Sequence, residues 1–157
     1  MRIGQGFDIH RFSDDPQREL RLGLVTIPGS AGLVGHSDAD AVTHAVIDAL
    51  LGAAQLGDIG EYFSDQVATW AGADSRVFLV SALAMVREAG YVVENVDVTV
   101  VAEAPKLGSF KKDMERELTT VIGAPVSVKA TTMERLGPIG NREGIAALAV
   151  ALLKEQA

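Results

Sequence analysis

The chain has 157 residues, contains no cysteine and is poor in aromatic residues, which make up 5% of it. Without cysteine it can form no disulfide, no thiolate metal site and no cysteine nucleophile, so any metal must be bound by imidazole and carboxylate groups. No uncharged apolar run reaches membrane-spanning length, and the first residues do not have the pattern of a signal peptide. We therefore expect a cytoplasmic protein with no membrane partner.

Positive charge is also scarce, since 14 Lys and Arg residues face 21 Asp and Glu residues and the net charge is −7. Such a surface repels nucleic acid, so we expect no nucleic-acid partner. The same field repels a phosphorylated small molecule. An anionic substrate would need a bound metal, well-placed lysines or exposed backbone amides to overcome that repulsion.

Strand and helix patterns alternate along the chain, which predicts a single α/β or α+β domain over residues 1–157. Strand patterns cover residues 2–10, 20–27, 95–101 and 125–131. Helical apolar stripes cover residues 38–56, 75–89 and 109–122. Residues 58–73 and 136–144 lack a clear period and are predicted as loops. Residues 145–153 fit either a helix or a buried central strand.

The three histidines, His10, His36 and His44, lie close to carboxylates in the sequence. Asp8 and His10 are two positions apart on a predicted strand, so their side chains share one face. His44 follows Asp40 by one helical turn in an otherwise apolar run. A carboxylate and two imidazoles from Asp8, His10 and His44 would form a site with a fourth zinc position open for substrate. A plain strand end and a satisfied core histidine are the alternatives.

The polar residues before the first helix have two interpretations each. Ser37 is a plausible N-cap, with Asp38 and Asp40 at the positive end of the helix dipole. Alternatively, Asp40 accepts a hydrogen bond from a metal-bound imidazole. The exposed amides near His36 and Ser37 suit a phosphate group.

Together with further short motifs, these residues resemble the 2-C-methyl-D-erythritol 2,4-cyclodiphosphate synthase family. The matching segments are RIGQGFDIH (2–10), HSDAD (36–40) with His44, LGDIG (56–60), GADS (72–75), NVDVT (95–99), APK (104–106), VKATT (128–132) with Glu134, and EGIAA (143–147). They follow one another in order from end to end. One such motif is weak, the Ser-Asp-x-Asp-x-x-x-His run is fairly specific, and the whole series is very specific.

The resemblance implies a reaction and its site. The 2-phosphate of 4-diphosphocytidyl-2-C-methyl-D-erythritol 2-phosphate attacks the β-phosphorus, which closes a cyclodiphosphate ring and releases CMP in the non-mevalonate isoprenoid pathway. Zinc or a similar ion is implied at Asp8, His10 and His44, magnesium or manganese on the substrate diphosphate, and transition-state stabilisation by His36 and Thr132. The implied substrate contacts are Asp8, Ile9, His10, His36, Ser37, Asp58, Ile59, Gly60, Phe63, Asp65, Ala102, Ala104, Pro105, Lys106, Leu107, Thr131, Thr132, Met133, Glu134, Asn141 and Arg142.

The resemblance also implies a mixed four- to five-stranded sheet with helices on one face, assembled as a homotrimer with active sites between subunits. Residues 145–153 then form a strand, and Phe7 lies near the threefold axis. The sequence departs from the usual pattern at residues 64–67 and at Pro138, and Asn141 stands where an arginine is usual, with Arg142 one position later. Asn141 cannot supply a guanidinium to a phosphate.

Two other functions fit parts of the pattern. A metal-dependent phosphohydrolase would use the same site on water and give a linear product. A non-enzymatic trimeric module would bind a ligand in the clefts between subunits and would need no metal.

Overall fold

The computed structural model describes residues 1–63 and 72–156. The strands are β1 (Arg2–Arg11), β2 (Glu19–Leu22), β3 (Val25–Ala31), β4 (Tyr91–Val101), β5 (Val126–Thr131) and β6 (Gly144–Glu155). The helices are α1 (Ala41–Ala54), α2 (Ile59–Tyr62), α3 (Ser75–Glu88), α4 (Lys111–Ile122) and α5 (Gly137–Gly140). Every described helix is too short or too polar to cross a lipid bilayer.

The main sheet has four strands in the order β1-β6-β4-β5. Only β4 and β5 pair in parallel, while β6 is antiparallel to both of its neighbours. The predicted mixed sheet is therefore confirmed, as is the strand over residues 145–153. Because β6 lies between two strands, ladder hydrogen bonds on both sides override the helix preference of its alanines and leucines. The carboxyl ends of β1, β4 and β5 meet at one edge.

The three long helices, α1, α3 and α4, cover one face of the sheet, and α1 lies very close to β1. The side chains at even positions of β1 face this helix, and two of those positions are Gly4 and Gly6. A Cβ atom on Gly6 would stand 2.0 Å from the carbonyl oxygen of Ala45. The two glycines therefore let the helix backbone rest directly on the strand, which brings the side chains of α1 next to Asp8 and His10.

The prediction of one strand over residues 20–27 is wrong. The structure has a hairpin, in which Leu22 of β2 pairs with Val25 of β3. Gly23 and Leu24 form the turn, with positive φ angles of 58° and 66°. Two such residues suit the tight turn that joins twisted antiparallel strands. The alternation of apolar residues continues unbroken through this turn, so the sequence pattern did not reveal it.

The predicted start of the first helix is also wrong, because α1 begins at Ala41 and its N-cap is Asp40 rather than Ser37. The Asp40 carboxylate is fully buried and accepts hydrogen bonds from the amides of Thr43, Gly23 and Leu24. Because Asp40 also binds the hairpin turn through two hydrogen bonds, the helix starts three residues later than predicted. Two predicted loops also contain short helices, α2 within residues 58–73 and α5 within residues 136–144.

Candidate metal centre

The side chains of Asp8, His10 and His44 meet where β1 faces α1. Asp8 Oδ2 lies 2.9 Å from His10 Nε2 and 3.1 Å from His44 Nδ1. One donor atom from each residue falls within 4.8 Å of the other two. The three side chains that the sequence placed in one site are thus close enough to share an ion. Their chemistry, one carboxylate oxygen and two imidazole nitrogens, is that of a catalytic divalent-metal site.

The tautomer of His10 shows that this cluster fits a cation. Its Nδ1 lies 2.7 Å from the carbonyl oxygen of Val34, which can only accept, so Nδ1 carries the proton. When the ring is neutral, Nε2 then holds a lone pair, and although Asp8 Oδ2 lies 2.9 Å away, this buried nitrogen makes no hydrogen bond of normal geometry among the described residues. A lone pair buried beside the Asp8 carboxylate is unfavourable. A metal ion shared by both groups removes that penalty.

The charges of the cluster support the same conclusion. Burial raises the pKa of Asp8, but its contacts with His10 and His44 outweigh burial and hold that pKa well below the usual range. Burial likewise works against the charged form of His10, but the Asp8 carboxylate raises the His10 pKa above its ordinary value. In the metal-free protein a proton on His10 thus takes the place of a metal, and the two compete for the same nitrogen.

The segment that contains His36 and Ser37 borders this cluster. Ser37 is buried, and its hydroxyl lies 3.4 Å from His44 Nε2. The Arg18 guanidinium donates to the carbonyl oxygens of Leu33, of Gly35 at 3.0 Å and of Ser37 at 2.5 Å. Arg18, which directly precedes β2, therefore fixes the backbone of this segment, and the Val34 amide joins the segment to the end of β1 through the Arg11 carbonyl oxygen. Sequence reasoning missed this residue, because nothing near position 18 points to a segment 15 to 19 residues later.

Residues Asp58–Phe63 are fixed on the other side of the cluster. Asp58 caps α2, and the Ile59 amide donates to Asp48 Oδ1 at 2.8 Å. Asp48 lies on α1 one turn after His44, and burial raises its pKa. No pattern in the sequence pointed to Asp48. Phe63 stacks on Phe78 with ring centroids 4.7 Å apart, and Phe78 in turn lies beside the His44 ring. Residue Asp65 and the altered segment 64–67 lie outside the described residues.

The segments after β4 and β5 come together at the far side of the sheet. The Ala102 amide donates to the carbonyl oxygen of Thr131, which joins residues 102–107 to residues 131–134. Thr132 Oγ1 contacts the side chain and the amide of Glu134, at 3.0 and 3.2 Å. Asn141 and Arg142 are exposed at the end of α5, just before β6.

Within one chain, the segments after β4 and β5 begin on strands that lie two and three positions away from β1. The strand register places His10 opposite Ile145 and Val101 opposite Ala146, so both groups lie at the same edge of the sheet. However, three strand spacings separate β1 from β5, a distance of about 14 Å. The predicted site residues therefore form two groups in each chain, one around Asp8 and one around Thr132.

The chain is similar to known proteins of one family. A sequence model of the YgbB family matches residues 1–154. The chain belongs to the YgbB family. Among its relatives, the 2-C-methyl-D-erythritol 2,4-cyclodiphosphate synthase of Thermosynechococcus vestitus is 52% identical, over 98% of this chain and 96% of the relative. The enzyme of the same name from Laribacter hongkongensis is 53% identical, over 99% and 97%. The resemblance inferred from the sequence motifs is confirmed.

Solved structures of the family share the fold. The CDP complex of IspF from Plasmodium falciparum is 34% identical and superposes with a TM-score of 0.85, over 99% of this chain and 97% of that chain. Bifunctional IspDF from Campylobacter jejuni is 41% identical with a TM-score of 0.93, and this chain covers 98% of its own length but 42% of that larger protein.

Proposed function

We propose that the chain converts 4-diphosphocytidyl-2-C-methyl-D-erythritol 2-phosphate into 2-C-methyl-D-erythritol 2,4-cyclodiphosphate and CMP, as a lyase of non-mevalonate isoprenoid biosynthesis. The observation that carries this proposal is the cluster of Asp8, His10 and His44, whose donor atoms lie within 4.8 Å of one another and in which His10 Nε2 makes no hydrogen bond of normal geometry among the described residues. The named relatives match this chain over nearly their whole length. A structural cluster would have its imidazole nitrogens satisfied by protein groups.

The metal that we propose at Asp8, His10 and His44 is zinc, since imidazole and carboxylate ligands with a fourth open position suit that ion. When bound, it supplies positive charge to a phosphate oxygen of the substrate. We propose magnesium or manganese as the second ion, on the substrate diphosphate, because these ions prefer oxygen ligands and retain water.

The chain's own residues orient two mutually repelling phosphates. The reaction forms a bond between a 2-phosphate oxygen and the β-phosphorus and breaks the bond from that phosphorus to the oxygen of CMP. Catalysis therefore rests on positioning and on neutralisation of charge. We assign His36 and Ser37, in the segment that Arg18 holds, to the phosphates. Residues 58–60 and Phe63 would hold the methylerythritol end, and Thr132 would stabilise the transition state from the nucleotide side.

A homotrimer would bring the two groups of residues together. The Asp8 group of one chain needs a nucleotide pocket that its own strands hold about 14 Å away, by the spacing of strands in a sheet. The open face of the sheet carries exposed apolar side chains, among them Ile3, Phe7 and Ile9, which are 72%, 50% and 51% exposed. Burial of this face between copies would place residues 102–107 and 131–134 of one copy beside the metal cluster of the next. The cytoplasmic location and the single domain stay predictions.

The decisive experiment is incubation of the purified, zinc-loaded protein with the cytidine-linked substrate, followed by phosphorus NMR. We expect the resonances of a cyclic diphosphate together with CMP, and the matched variant His44→Ala should form neither. A linear phosphorylated product would instead establish a phosphohydrolase. Unchanged substrate, together with a protein that retains no zinc after loading, would favour the non-enzymatic module.

A further inference from the structure

The second nitrogen of His44 faces a buried hydroxyl group. His44 Nε2 lies 2.9 Å from Oγ of Ser75, the first residue of α3, which is fully buried. The Ser75 hydroxyl is also in close contact with Oδ1 of Asp38, and the Ser75 amide donates to Asp38 Oδ2 at 2.9 Å. A chain of hydrogen bonds therefore runs from Asp38 through Ser75 to the ring of His44.

The chemistry of the groups fixes the direction of this chain. An ionised carboxylate can only accept, so the Ser75 hydroxyl must give its proton to Asp38. The lone pair of Ser75 Oγ is then left to accept a proton from His44 Nε2. A neutral imidazole carries one proton, so His44 Nδ1 keeps its lone pair. That atom is the one directed at Asp8, at 3.1 Å.

We propose that Asp38 and Ser75 are positioning residues that keep the proton of His44 on Nε2 and so make Nδ1 the metal-binding atom; this rests on the proposed metal site. Val34 has the corresponding role for His10, but with the two nitrogens exchanged. Its carbonyl oxygen keeps the His10 proton on Nδ1 and leaves the lone pair on Nε2. The two ligands thus bind through different nitrogens, and each is oriented by a group behind it.

Two other residues near His44 cannot take this role. Asp40, which the sequence suggested as the acceptor for a metal-bound imidazole, uses its carboxylate on the hairpin turn and on Thr43. Ser37 lies 3.4 Å from His44 Nε2, beyond the usual range, and no carboxylate contact of its hydroxyl is seen among the described residues. The Ser37 oxygen also faces the Ala39 amide at 3.4 Å, and that donor does not fix where the Ser37 hydroxyl sends its own proton.

The substitution Asp38→Asn tests the proposal because it keeps the shape and reverses the hydrogen bonds. The new side chain has a single acceptor oxygen, and the backbone amide of Ser75, at 2.9 Å, binds it more strongly than the backbone amide of Asp40, at 3.2 Å. The side-chain NH₂ group therefore turns toward Ser75 Oγ. The Ser75 hydroxyl must then donate to His44 Nε2. The proton of His44 moves to Nδ1, where it blocks the metal.

Zinc affinity, measured by competition with a chromophoric chelator, is the first measurement. We expect Asp38→Asn and Ser75→Ala to raise the zinc Kd by roughly 10- to 100-fold, as for other groups that orient metal ligands. Ser37→Ala is the matched control, since it removes the other hydroxyl near the same nitrogen, and it should leave the zinc Kd unchanged. Wild-type affinity in both Asp38→Asn and Ser75→Ala would overturn the proposal.

Nitrogen-15 NMR of histidine-labelled, metal-free protein, at a pH where the imidazoles are neutral, is the second measurement. In Asp38→Asn we expect the His44 proton to move to Nδ1, while the tautomer of His10 stays unchanged. A merely structural role would lower stability and leave the His44 tautomer as in the wild type, which would overturn the proposal. If Asp38→Asn fails to fold, the zinc Kd of Ser75→Ala decides whether the proposal holds. This variant keeps the hydrogen bond from the backbone amide of residue 75 to Asp38. Zinc binding that survives His44→Ala would refute the metal site itself. Zinc binding that is lost in His44→Ala but intact in both Asp38→Asn and Ser75→Ala would leave the metal site standing and refute only the role of Asp38 and Ser75.

Discussion

The close approach of α1 to β1 can be tested by one added methyl group, in the variant Gly6→Ala. An alanine Cβ at this position would lie 2.0 Å from the carbonyl oxygen of Ala45 and 2.7 Å from the amide nitrogen of Ala49. Both atoms belong to the helix backbone, so no side-chain rotation relieves the clash. The helix and the strand must separate.

The structure sets the size of both effects. Real Cβ contacts are essentially never shorter than 3.0 Å, so relief of a 2.0 Å contact requires a shift of at least 1.0 Å. Overpacking of this kind lowers the unfolding free energy by about 1–3 kcal/mol. Because the clash here is with helix backbone, we expect a loss at the upper end of that range, about 3 kcal/mol. A metal site tolerates ligand displacements of only about 0.2 Å. The shift therefore exceeds the tolerance of a site that takes Asp8 and His10 from the strand and His44 from the helix.

Urea unfolding of metal-free protein and a zinc competition assay measure the two effects, both at one fixed protein concentration because assembly affects stability. We expect Gly6→Ala to lose about 3 kcal/mol of unfolding free energy and to bind zinc at least about 10-fold more weakly. Gly52→Ala is the matched control on the same helix. Its Cβ would meet nothing within 4 Å, so this variant should gain about 0.5–1 kcal/mol.

A Gly6→Ala protein with wild-type stability would show that the helix does not rest on the strand as described. Lower stability with unchanged zinc affinity would show that the close approach matters for packing alone. In that case the metal ligands would be positioned by something other than the two glycines, and the dependence of metal binding on this packing would be refuted.

Three further predictions concern single side chains. His44→Ala should lose zinc and all turnover while its far-ultraviolet circular dichroism stays that of the wild type; full activity would remove the metal from the mechanism. Because burial raises the pKa of Asp48, the metal-free wild type should lose stability as the pH rises from the ordinary range of an aspartate through that raised pKa. Asp48→Asn has no carboxyl group to titrate, so its unfolding free energy in urea should rise relative to that of the wild type as the pH increases. A difference in unfolding free energy that stays constant with pH would contradict the raised pKa. Thr132→Ala should lower kcat more than it raises KM, and a change in KM alone would argue against a transition-state role.

Several features of the fold and the site could be read from the sequence because they depend on neighbours along the chain. Alternation on β1 placed Asp8 and His10 on one face, and the helical stripe placed His44 among the residues of α1 that face the sheet. The order of the motifs identified the family, and through it the strand over residues 145–153, for which local propensity favoured a helix. Apart from the hairpin of β2 and β3, the strands and the longer helices were predicted to within a few residues.

Other features were decided by contacts between residues far apart in the sequence. Asp40 caps α1 because it also binds the turn between β2 and β3, which no local pattern near Asp40 reveals. Ser75 was predicted only as a helix start, yet it contacts His44 across 31 positions and Asp38 across 37. The direction of a hydrogen bond depends on which groups meet in three dimensions. The amino-acid sequence therefore determined which side chains can bind the metal, and the tertiary structure alone decided which nitrogen of each histidine faces it.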